Sequence, residues 1–430
     1  MAAAQQLAVL MHGRPLGTLT SKAANHVELR YHDSALADPG AVALSLSLPL
    51  VGQRYRGPVL THWLQGLLPD REDVLRRWRR EFGIRRRDVF SLLWHVGEDV
   101  AGAAQFVRPD RLEVVNDVGT LHPVSPEQIA DRLRALRTDR TAWAPSPATG
   151  QFSLAGAQSK FALHRTVTGW AEPQGATPST HIFKPAIPEL ADQDAVEHLT
   201  MRTASQLGFS VPQTELLTFA GERVLVIQRF DRALTPIGWV RVHQEDMCQA
   251  AGVSPDQKYE QQGGPGVAQV AALIREAVCG SNTEPDVSAF LRAVAFNWLI
   301  VGTDAHAKNY GLLHAPGQSR LAPLYDLNSF LPYQAGQQVT LAMKMGTWQT
   351  NPDRVGIAEW AELARQVNVD VESLLREVRA LAEQLPDAVH RAAQDPALVA
   401  VNSPCVAAFV THSAARAQHC LRMLTPPTQP

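Results

Sequence analysis

Asp304, Asn309 and Asp326 are the residues whose types and spacing point to chemistry. Asp304 follows the apolar run 296–302, Asn309 comes five residues later in T-D-A-H-A-K-N, and Asp326 closes P-L-Y-D. Two carboxylates and an amide, each delivered at the end of a hydrophobic segment, make a hard-oxygen set suited to Mg²⁺. D-x4-N followed by Asp at the end of a later strand is the order in which a kinase-type phosphotransferase places its base and its two metal ligands. Alone, the pattern is also that of an Asp/Asn-rich turn between strands, so the upstream elements decide.

Those elements come in a telling order. F-S-L-A-G-A-Q-S-K-F-A-L-H at 152–164 sets a small-residue turn, Ala155, Gly156, Ala157, Gln158, Ser159 and Lys160, between apolar segments. Small residues let backbone N–H groups approach an anion, although this is not a Walker A sequence. T-H-I-F-K-P then reads as a strand bearing Lys184, a charge that is costly inside an apolar strand unless paired. A helix follows, with Val196, Leu199, Thr203 and Leu207 on one face and Gly208 as its stop. Glu197 near its start is either the partner that lets a kinase lysine clamp phosphates or a first-turn acid favoured by the helix dipole. E-R-V-L-V-I-Q-R-F-D at 222–231 is a strong strand running into Gln228, Arg229, Phe230 and Asp231, where the linker of a two-lobed kinase would meet adenine.

The bulk numbers fit a soluble protein of two or three domains: 430 residues, 45% hydrophobic, 19% charged, formal net charge −2. No global field demands a nucleic-acid partner, so any basic patch is local. The four cysteines have neither paired nor metal-like spacing, which reads as reduced thiols. With no run of about 18 apolar residues and no signal-like N-terminus, a cytoplasmic protein without a membrane partner is expected.

The N-terminal part reads as β-structure over residues 5–50. A turn at 12–15 joins two apolar runs, H-V-E-L-R-Y alternates, and L-S-L-S-L-P-L at 44–50 alternates again. Residues 61–94 read as helical and 97–107 as strand. Within the helical part, 76–87 holds seven arginines, either a solvated face with packed stems or an anion-facing patch. The Pro- and Gly-punctuated stretch 141–150 is the candidate domain boundary. Residues 257–266, Q-K-Y-E-Q-Q-G-G-P-G, read as a polar surface loop, and 358–385 and 396–424 as long amphipathic helices.

Together these motifs resemble the HipA toxin kinases of bacterial type II toxin–antitoxin systems. The resemblance rests on F-S-L-A-G-A-Q-S-K, H-I-F-K, R-F-D-R, Q-E-D-M-C-Q, G-G-P-G, T-D-A-H-A-K-N and P-L-Y-D, with G-L-L-P-D, R-R-W-R-R-E-F-G and G-A-A-Q-F in the N-terminal part, and spans nearly the whole chain. It implies an α+β, two-lobed, lipid-kinase-like catalytic core with a β-rich N-terminal subdomain and a mostly helical C-terminal lobe, divided at 1–140, 141–235 and 236–430. It further implies a serine/threonine protein kinase using ATP and Mg²⁺. Asp304 would be the base, with Lys308 in the catalytic set, and Asn309 and Asp326 would hold the metal. Ala155, Gly156, Ala157, Gln158, Lys160 and Lys184 would bind phosphates, with Gln228, Arg229, Phe230 and Asp231 at the adenine. Ser153 matches a serine whose autophosphorylation expels the phosphate-binding turn. The implied partners are a helix-turn-helix, HipB-like antitoxin, operator DNA reached through that complex, and an aminoacyl-tRNA synthetase substrate, typically glutamyl, whose modification causes growth arrest and persistence.

Two positions depart from the family pattern: Ala305 replaces a glycine, which matters only if φ is positive there, and Gln228 replaces a glutamate. The competing readings are a small-molecule phosphotransferase, disfavoured by the long N-terminal domain and Ser153, and a catalytically idle corepressor, disfavoured by the intact Lys184, Asp304, Asn309 and Asp326.

Overall fold

A computed structural model describes residues 5–23, 26–113, 119–142, 153, 155–236, 238–333 and 338–426. The chain divides into two compact units, one of Met1–Pro185, Thr218–Asp256 and Leu312–Ser319, the other of Ala186–Leu217, Gln257–Gly311 and Arg320–Pro430.

The first unit opens with the expected hairpin, β1 (Gln5–Met11) and β2 (Arg14–Ala23). His12 and Gly13 both have positive φ, 51° and 73°, the backbone a two-residue turn needs to match strand twist. With β3 (His26–Tyr31), β4 (Arg54–Arg56) and β5 (Ala104–Val107) they form a sheet in the order β4-β3-β2-β1-β5. The alternating run 44–50 is not a strand. Tyr31 Oη donates to Leu48 O at 2.6 Å and accepts from Leu44 N at 3.1 Å, folding the run into a tight turn. Its serines point at buried acceptors, Ser45 at Glu245 and Ser47 at Gln249 O, so the alternation separates two kinds of buried contact rather than core from solvent.

Four helices connect these strands: α1 (Asp33–Ala37), α2 (Pro58–Gln65), α3 (Glu72–Glu81) and α4 (Val89–Val96). On α3 Val74 and Trp78, one turn apart, are buried, which turns the arginines outward. Arg77, Arg79 and Arg86 are ion-paired with Glu81, Glu72 and Asp88. Arg76, Arg80, Arg85 and Arg87 are exposed.

The second sheet of this unit contains β6 (Thr120–Val124), β7 (Phe161–Arg165), β8 (Trp170–Gln174) and β9 (His181–Lys184). Helix α5 (Pro126–Thr138) follows β6 behind a Ser125–Gln128 capping box. Helix α6 (Gln193–Gln206) belongs to the second unit, and β10 (Thr214–Phe219) brings the chain back at Thr218. β11 (Glu222–Gln228) then joins these strands, which run in the antiparallel order β11-β9-β7-β8-β6. A hairpin, β12 (Arg232–Thr235) and β13 (Gly238–Arg241), and β14 (His243–Asp246) with the capped turn α7 (Met247–Ala250) follow.

Buried charges tie these parts together. Asp99 accepts from Arg232 Nη2 at 2.9 Å, Arg241 Nη2 at 3.2 Å, and Ser179 N and Oγ at 3.0 and 2.6 Å. Asp231 accepts from Arg229 Nε and Nη2 at 2.9 and 2.8 Å and from Gly102 N at 2.7 Å. Burial alone would raise the pKa of both carboxylates, but the surrounding arginines hold each below its ordinary value.

The second unit is mainly helical: α6, α8 (Val267–Ala277), α9 (Thr283–Leu299), α10 (Ile357–Gln366), α11 (Val371–Ala393), α12 (Pro396–Val401) and α13 (Pro404–Met423). Each of the two long helices expected from the sequence is in fact two. Asn368 (φ 55°) ends α10 before Asp370 caps α11, and Asn402 (φ 48°) ends α12 before Ser403 caps α13. Left-handed Asn followed by a capping side chain is a stop and a start within three residues. Helix α11 packs on α6, α10 and α13, and Trp298 stacks edge-on with Trp360 at 5.5 Å in the core. No helix among the described residues is long and apolar enough to cross a membrane.

Asp99→Ala would leave three buried guanidinium groups facing a single carboxylate. Breaking a buried pair costs about 3–5 kcal/mol, so the variant's denaturation midpoint should fall by the equivalent of that loss.

Candidate active site

In the second unit, α9 delivers the catalytic candidates. At its C-terminal end the backbone turns sharply: Gly302 N donates to Asn297 O at 2.7 Å, and Val301 is held at φ 53°. A β-branched residue in that region is strained. A Cβ on Gly302 would lie 2.4 Å from Asn297 Oδ1, so only glycine fits. Asn297 is itself fixed, donating to Ala293 O and to Tyr310 Oη at 3.0 and 3.1 Å.

The next residues wrap around the carbonyl of Asp304, which accepts from His306 N at 2.8 Å and from Asn309 Nδ2 at 2.7 Å. This fixes the amide of Asn309 and leaves its Oδ1 as the atom available to a cation. Asn309 and Lys308 are buried, whereas the side chain of Asp304 is 59% exposed. Tyr325 Oη donates to Lys308 O at 2.7 Å, bracing the loop from behind. Asp326 lies in a turn beyond the strand that ends at Leu321, at φ 56°, a conformation Asp tolerates better than most residues. Positive φ thus falls on Val301 and Asp326 but not on Ala305, so the alanine there carries no backbone penalty.

Two further residues meet Asp304. Tyr259 Oη donates to its Oδ1 at 2.5 Å, and His306 Nε2 lies 3.7 Å from the same oxygen. The Tyr259 and His306 rings stack edge to face at 5.0 Å. Burial lowers the pKa of His306, opposed by the nearby Asp304 and Asp326, and neither ring nitrogen has a hydrogen-bond partner among the described residues. Tyr259 belongs to the stretch the sequence presented as a polar surface loop. The available signal was one aromatic side chain just ahead of G-G-P-G.

Among the described residues no three His, Cys, Asp or Glu side chains gather as a metal cluster. Mg²⁺ is commonly held by one or two carboxylates with waters and substrate phosphates. The oxygen donors Asn309 and Asp326 fit that chemistry. Glu197, expected near the helix start, lies in the second turn of α6, fully buried, with Oε2 accepting from Gln193 Nε2 at 3.0 Å; it is not an exposed first-turn acid.

The first unit carries the phosphate-binding candidates. Gly156 has φ 108°, and a Cβ there would stand 2.7 Å from Lys160 Nζ, which donates to Ala155 O at 2.6 Å. Gly156 O accepts from Asp70 N at 3.1 Å, and Gln158 Nε2 donates to Pro185 O at 3.0 Å, so the turn is anchored on both sides while Ala157 remains exposed. Lys184 is buried at the end of β9, opposite Leu225. Gln228 pairs with His181, and Phe230 is half-buried.

The side chains of Arg229 and Asp231 are committed to the buried ion network, which leaves their backbone as the part that a linker could offer to adenine. Ser153 is buried but lies outside any strand, its N donating to Asp99 O at 3.0 Å and its Oγ to Leu67 O at 2.8 Å. Its neighbours Phe152 and Leu154 lie outside the described residues.

Gly302→Ala should force Asn297 and the catalytic loop apart at a cost of about 1–3 kcal/mol. Thermal denaturation checks this, and an unchanged midpoint would show that the tight approach is relieved without cost.

Comparison with known proteins places the chain. A family model described as the HipA-like C-terminal domain matches residues 152–392, and one described as the HipA N-terminal domain matches residues 7–107. The Y4mE protein of Sinorhizobium fredii is 31% identical over 421 residues, covering 96% of this chain and 97% of that protein. The serine/threonine-protein kinase toxin HipA of Shewanella oneidensis is 29% identical over 361 residues, 80% of each chain. The solved complex of Shewanella oneidensis HipA with HipB and operator DNA superposes with TM-score 0.82 at 25% identity, over 97% of this chain and 98% of that one. The matched domains account for the N-terminal sheet, the phosphate turn and the D-x4-N loop alike, and this chain belongs to the HipA family.

Proposed function

We propose that the protein is an ATP-dependent serine/threonine protein kinase acting as the toxin of a toxin–antitoxin pair. The observation that carries this reading is the catalytic loop: Asp304 presents an exposed carboxylate while its own carbonyl anchors the amide of Asn309. Tyr259 occupies Oδ1 of Asp304. Its Oδ2 is the atom that takes the proton of an acceptor serine as the hydroxyl oxygen attacks the γ-phosphorus and the bond to the ADP oxygen breaks. Asn309 and Asp326 would hold Mg²⁺, which when bound neutralises charge on the transferring phosphoryl group. The turn of Ala155, Gly156, Ala157, Gln158 and Lys160, with Lys184, would hold phosphates, and Lys308 adds positive charge to the catalytic loop. Gln228, Arg229, Phe230 and Asp231 are the linker positions that would meet adenine, Arg229 and Asp231 through their backbone.

Asp304→Ala should lower phosphate transfer from [γ-³²P]ATP by about 10²- to 10⁴-fold, the usual contribution of a general base, and should abolish growth arrest on overexpression. Asp326→Ala should do the same through the metal. A fully toxic, folded variant at either position would overturn these assignments. In the same assay, transfer to a small molecule but to no protein would favour a metabolite phosphotransferase, and no transfer at all an idle corepressor.

The substrate we infer is an aminoacyl-tRNA synthetase, glutamyl first among the candidates, with arrest and persistence following from uncharged tRNA. The partner is a HipB-like antitoxin, a reading supported by the likeness to the Shewanella HipA–HipB–operator complex. Within such an assembly the exposed Arg76, Arg80, Arg85 and Arg87 are suited to DNA phosphates, whereas Arg86 is held by Asp88 and Ser21.

Ser153 would serve as an off-switch. A phosphate there brings a charge of roughly −1.5 to −2 and cannot keep the buried bond to Leu67 O. After incubation with Mg·ATP, intact mass should show one added phosphoryl group on wild type and none on Ser153→Ala, and the modified form should lose ATP affinity. Phosphorylated protein that binds ATP as before would end the switch.

A further inference from the structure

The segment Q-K-Y-E-Q-Q-G-G-P-G at 257–266, which composition presents as a surface loop, is held to the catalytic loop at two points. Lys258 O accepts from Ala307 N at 3.3 Å, and Tyr259 Oη donates to Asp304 Oδ1 at 2.5 Å. The segment is also tied to itself. Tyr259 O accepts from Gln262 N at 2.9 Å and from Gly264 N at 3.1 Å, so the chain closes around the carbonyl of the tyrosine. A Cβ on Gly264 would stand 2.0 Å from Gln257 O, a backbone atom that cannot swing aside. The close approach at Gly264 therefore has a local consequence: it fixes the backbone that carries Tyr259.

His306 adds a second ring to the same carboxylate. It is 3% exposed, yet neither of its ring nitrogens has a hydrogen-bond partner among the described residues. Buried polar atoms are nearly always paired, so two orphans on one ring need an explanation. Nε2 lies 3.7 Å from Asp304 Oδ1, about 0.5 Å beyond the usual N–H···O range. Asp304 has the freedom to close that gap, because its side chain is 59% exposed. The Tyr259 and His306 rings meet edge to face at 5.0 Å, so the two donors approach Oδ1 as one packed unit.

We infer that Tyr259 and His306 are positioning residues of the base: the tyrosine hydroxyl and the imidazole Nε2–H both donate to Oδ1 of Asp304 when an acceptor is bound, which reserves Oδ2 for the acceptor hydroxyl. The inference rests on the kinase reading above. An exposed carboxylate can otherwise turn either oxygen, or neither, toward the hydroxyl, and orientation of reacting groups is a large part of catalysis. Neither residue gains or loses a proton in the transfer. Tyr259 keeps its O–H, and His306 stays in the tautomer that bears its proton on Nε2 and leaves Nδ1 bare. The Q-K-Y-E and G-G-P-G motifs thereby become part of the catalytic apparatus, one carrying a donor and the other setting its place.

The test uses full-length protein and [γ-³²P]ATP, and the acceptor is the protein that wild type labels most strongly in a bacterial extract, purified. Tyr259→Phe keeps the ring against His306 and removes the donor alone. It should lower kcat about 10- to 100-fold, the scale on which partners that orient a functional group act, with KM for ATP unmoved. Gly264→Ala, which displaces Tyr259 without altering it, should reproduce the loss. His306→Gln, which keeps a nitrogen donor, should retain more activity than His306→Ala, and equal losses in the two would overturn the role of His306. The decisive comparison repeats Tyr259→Phe on the residual transfer left by Asp304→Ala. With no carboxylate to orient, the added loss should be no more than about twofold, since effects that act through one group do not add. The same fractional loss with and without Asp304 would mark a structural role and overturn the inference, as would an unchanged kcat in Tyr259→Phe; both leave the kinase reading intact. Failure of wild type to label any protein would overturn the kinase reading itself, and the positioning roles with it.

Discussion

Asp99 is the point to which the first unit refers its functional parts. Its carboxylate receives Arg232, Arg241 and Ser179, while its main-chain oxygen receives Ser153 N. Taking ions out of water costs several kcal/mol each and is repaid only when every charged atom finds good partners. Here the repayment requires three distant segments at once: the loop at 98–102, Ser179 just ahead of β9, and the strand-to-hairpin passage at 229–232. Five residues after Ser179 comes Lys184, and Gln228 directly precedes Arg229. Lysine strand, linker and the start of the phosphate turn are therefore all placed by one set of buried charges. Such a network contributes position more surely than net stability, since apolar residues of similar volume often stabilise as well.

The second unit solves a different problem, presenting a charged carboxylate to solvent from a buried helix. Strain is concentrated where the chain leaves α9, at Val301, and again at Asp326. Between them the loop is cross-linked to itself and to α9: Asp304 O holds Asn309, Lys308 O holds Tyr325, and Asn297 of α9 holds Tyr310. The exposed side chain of Asp304 therefore sits on a backbone with little freedom, as the proposed base, which would have to meet a hydroxyl within hydrogen-bond reach, would require. Tyr259 and His306 narrow the freedom of the carboxylate itself.

The delivery of Asp304 and Asn309 at the end of an apolar segment was legible because its elements are local: an apolar helix, a glycine turn and D-x4-N all lie within a few residues of one another. The β1–β2 hairpin was legible for the same reason. Tyr259 was not, since its contact spans 45 residues and a loop composition of Gln, Lys, Glu and Gly gives no hint of what one aromatic in it touches. R-F-D-R was placed at the linker, but sequence order does not say that Arg229 and Asp231 point inward. Buried arginines are the exception to composition, and only the arrival of Asp99, over 100 residues earlier, makes them tolerable. The run 44–50 misled in the opposite sense: its alternation reads as a strand, but its serines are held by Glu245 and Gln249 O, about 200 residues away.

The Asp99 hub also holds Ser153. Its hydroxyl is bonded to Leu67 O and its amide to Asp99 O, and Gly156 O, three residues on, accepts from Asp70 N. The turn proposed for phosphates is thus stitched to 67–70 on one side and to the Asp99 hub on the other. A serine so placed can reach a nucleotide only if both stitches open together, because neither hydrogen bond tolerates the displacement that would free the other. Under the proposed switch, opening would be an all-or-none step, and a phosphate on Ser153 Oγ would meet the Leu67 carbonyl oxygen on return. With no donor at that position, the closed arrangement would be lost to the modified chain by like-charge repulsion and desolvation.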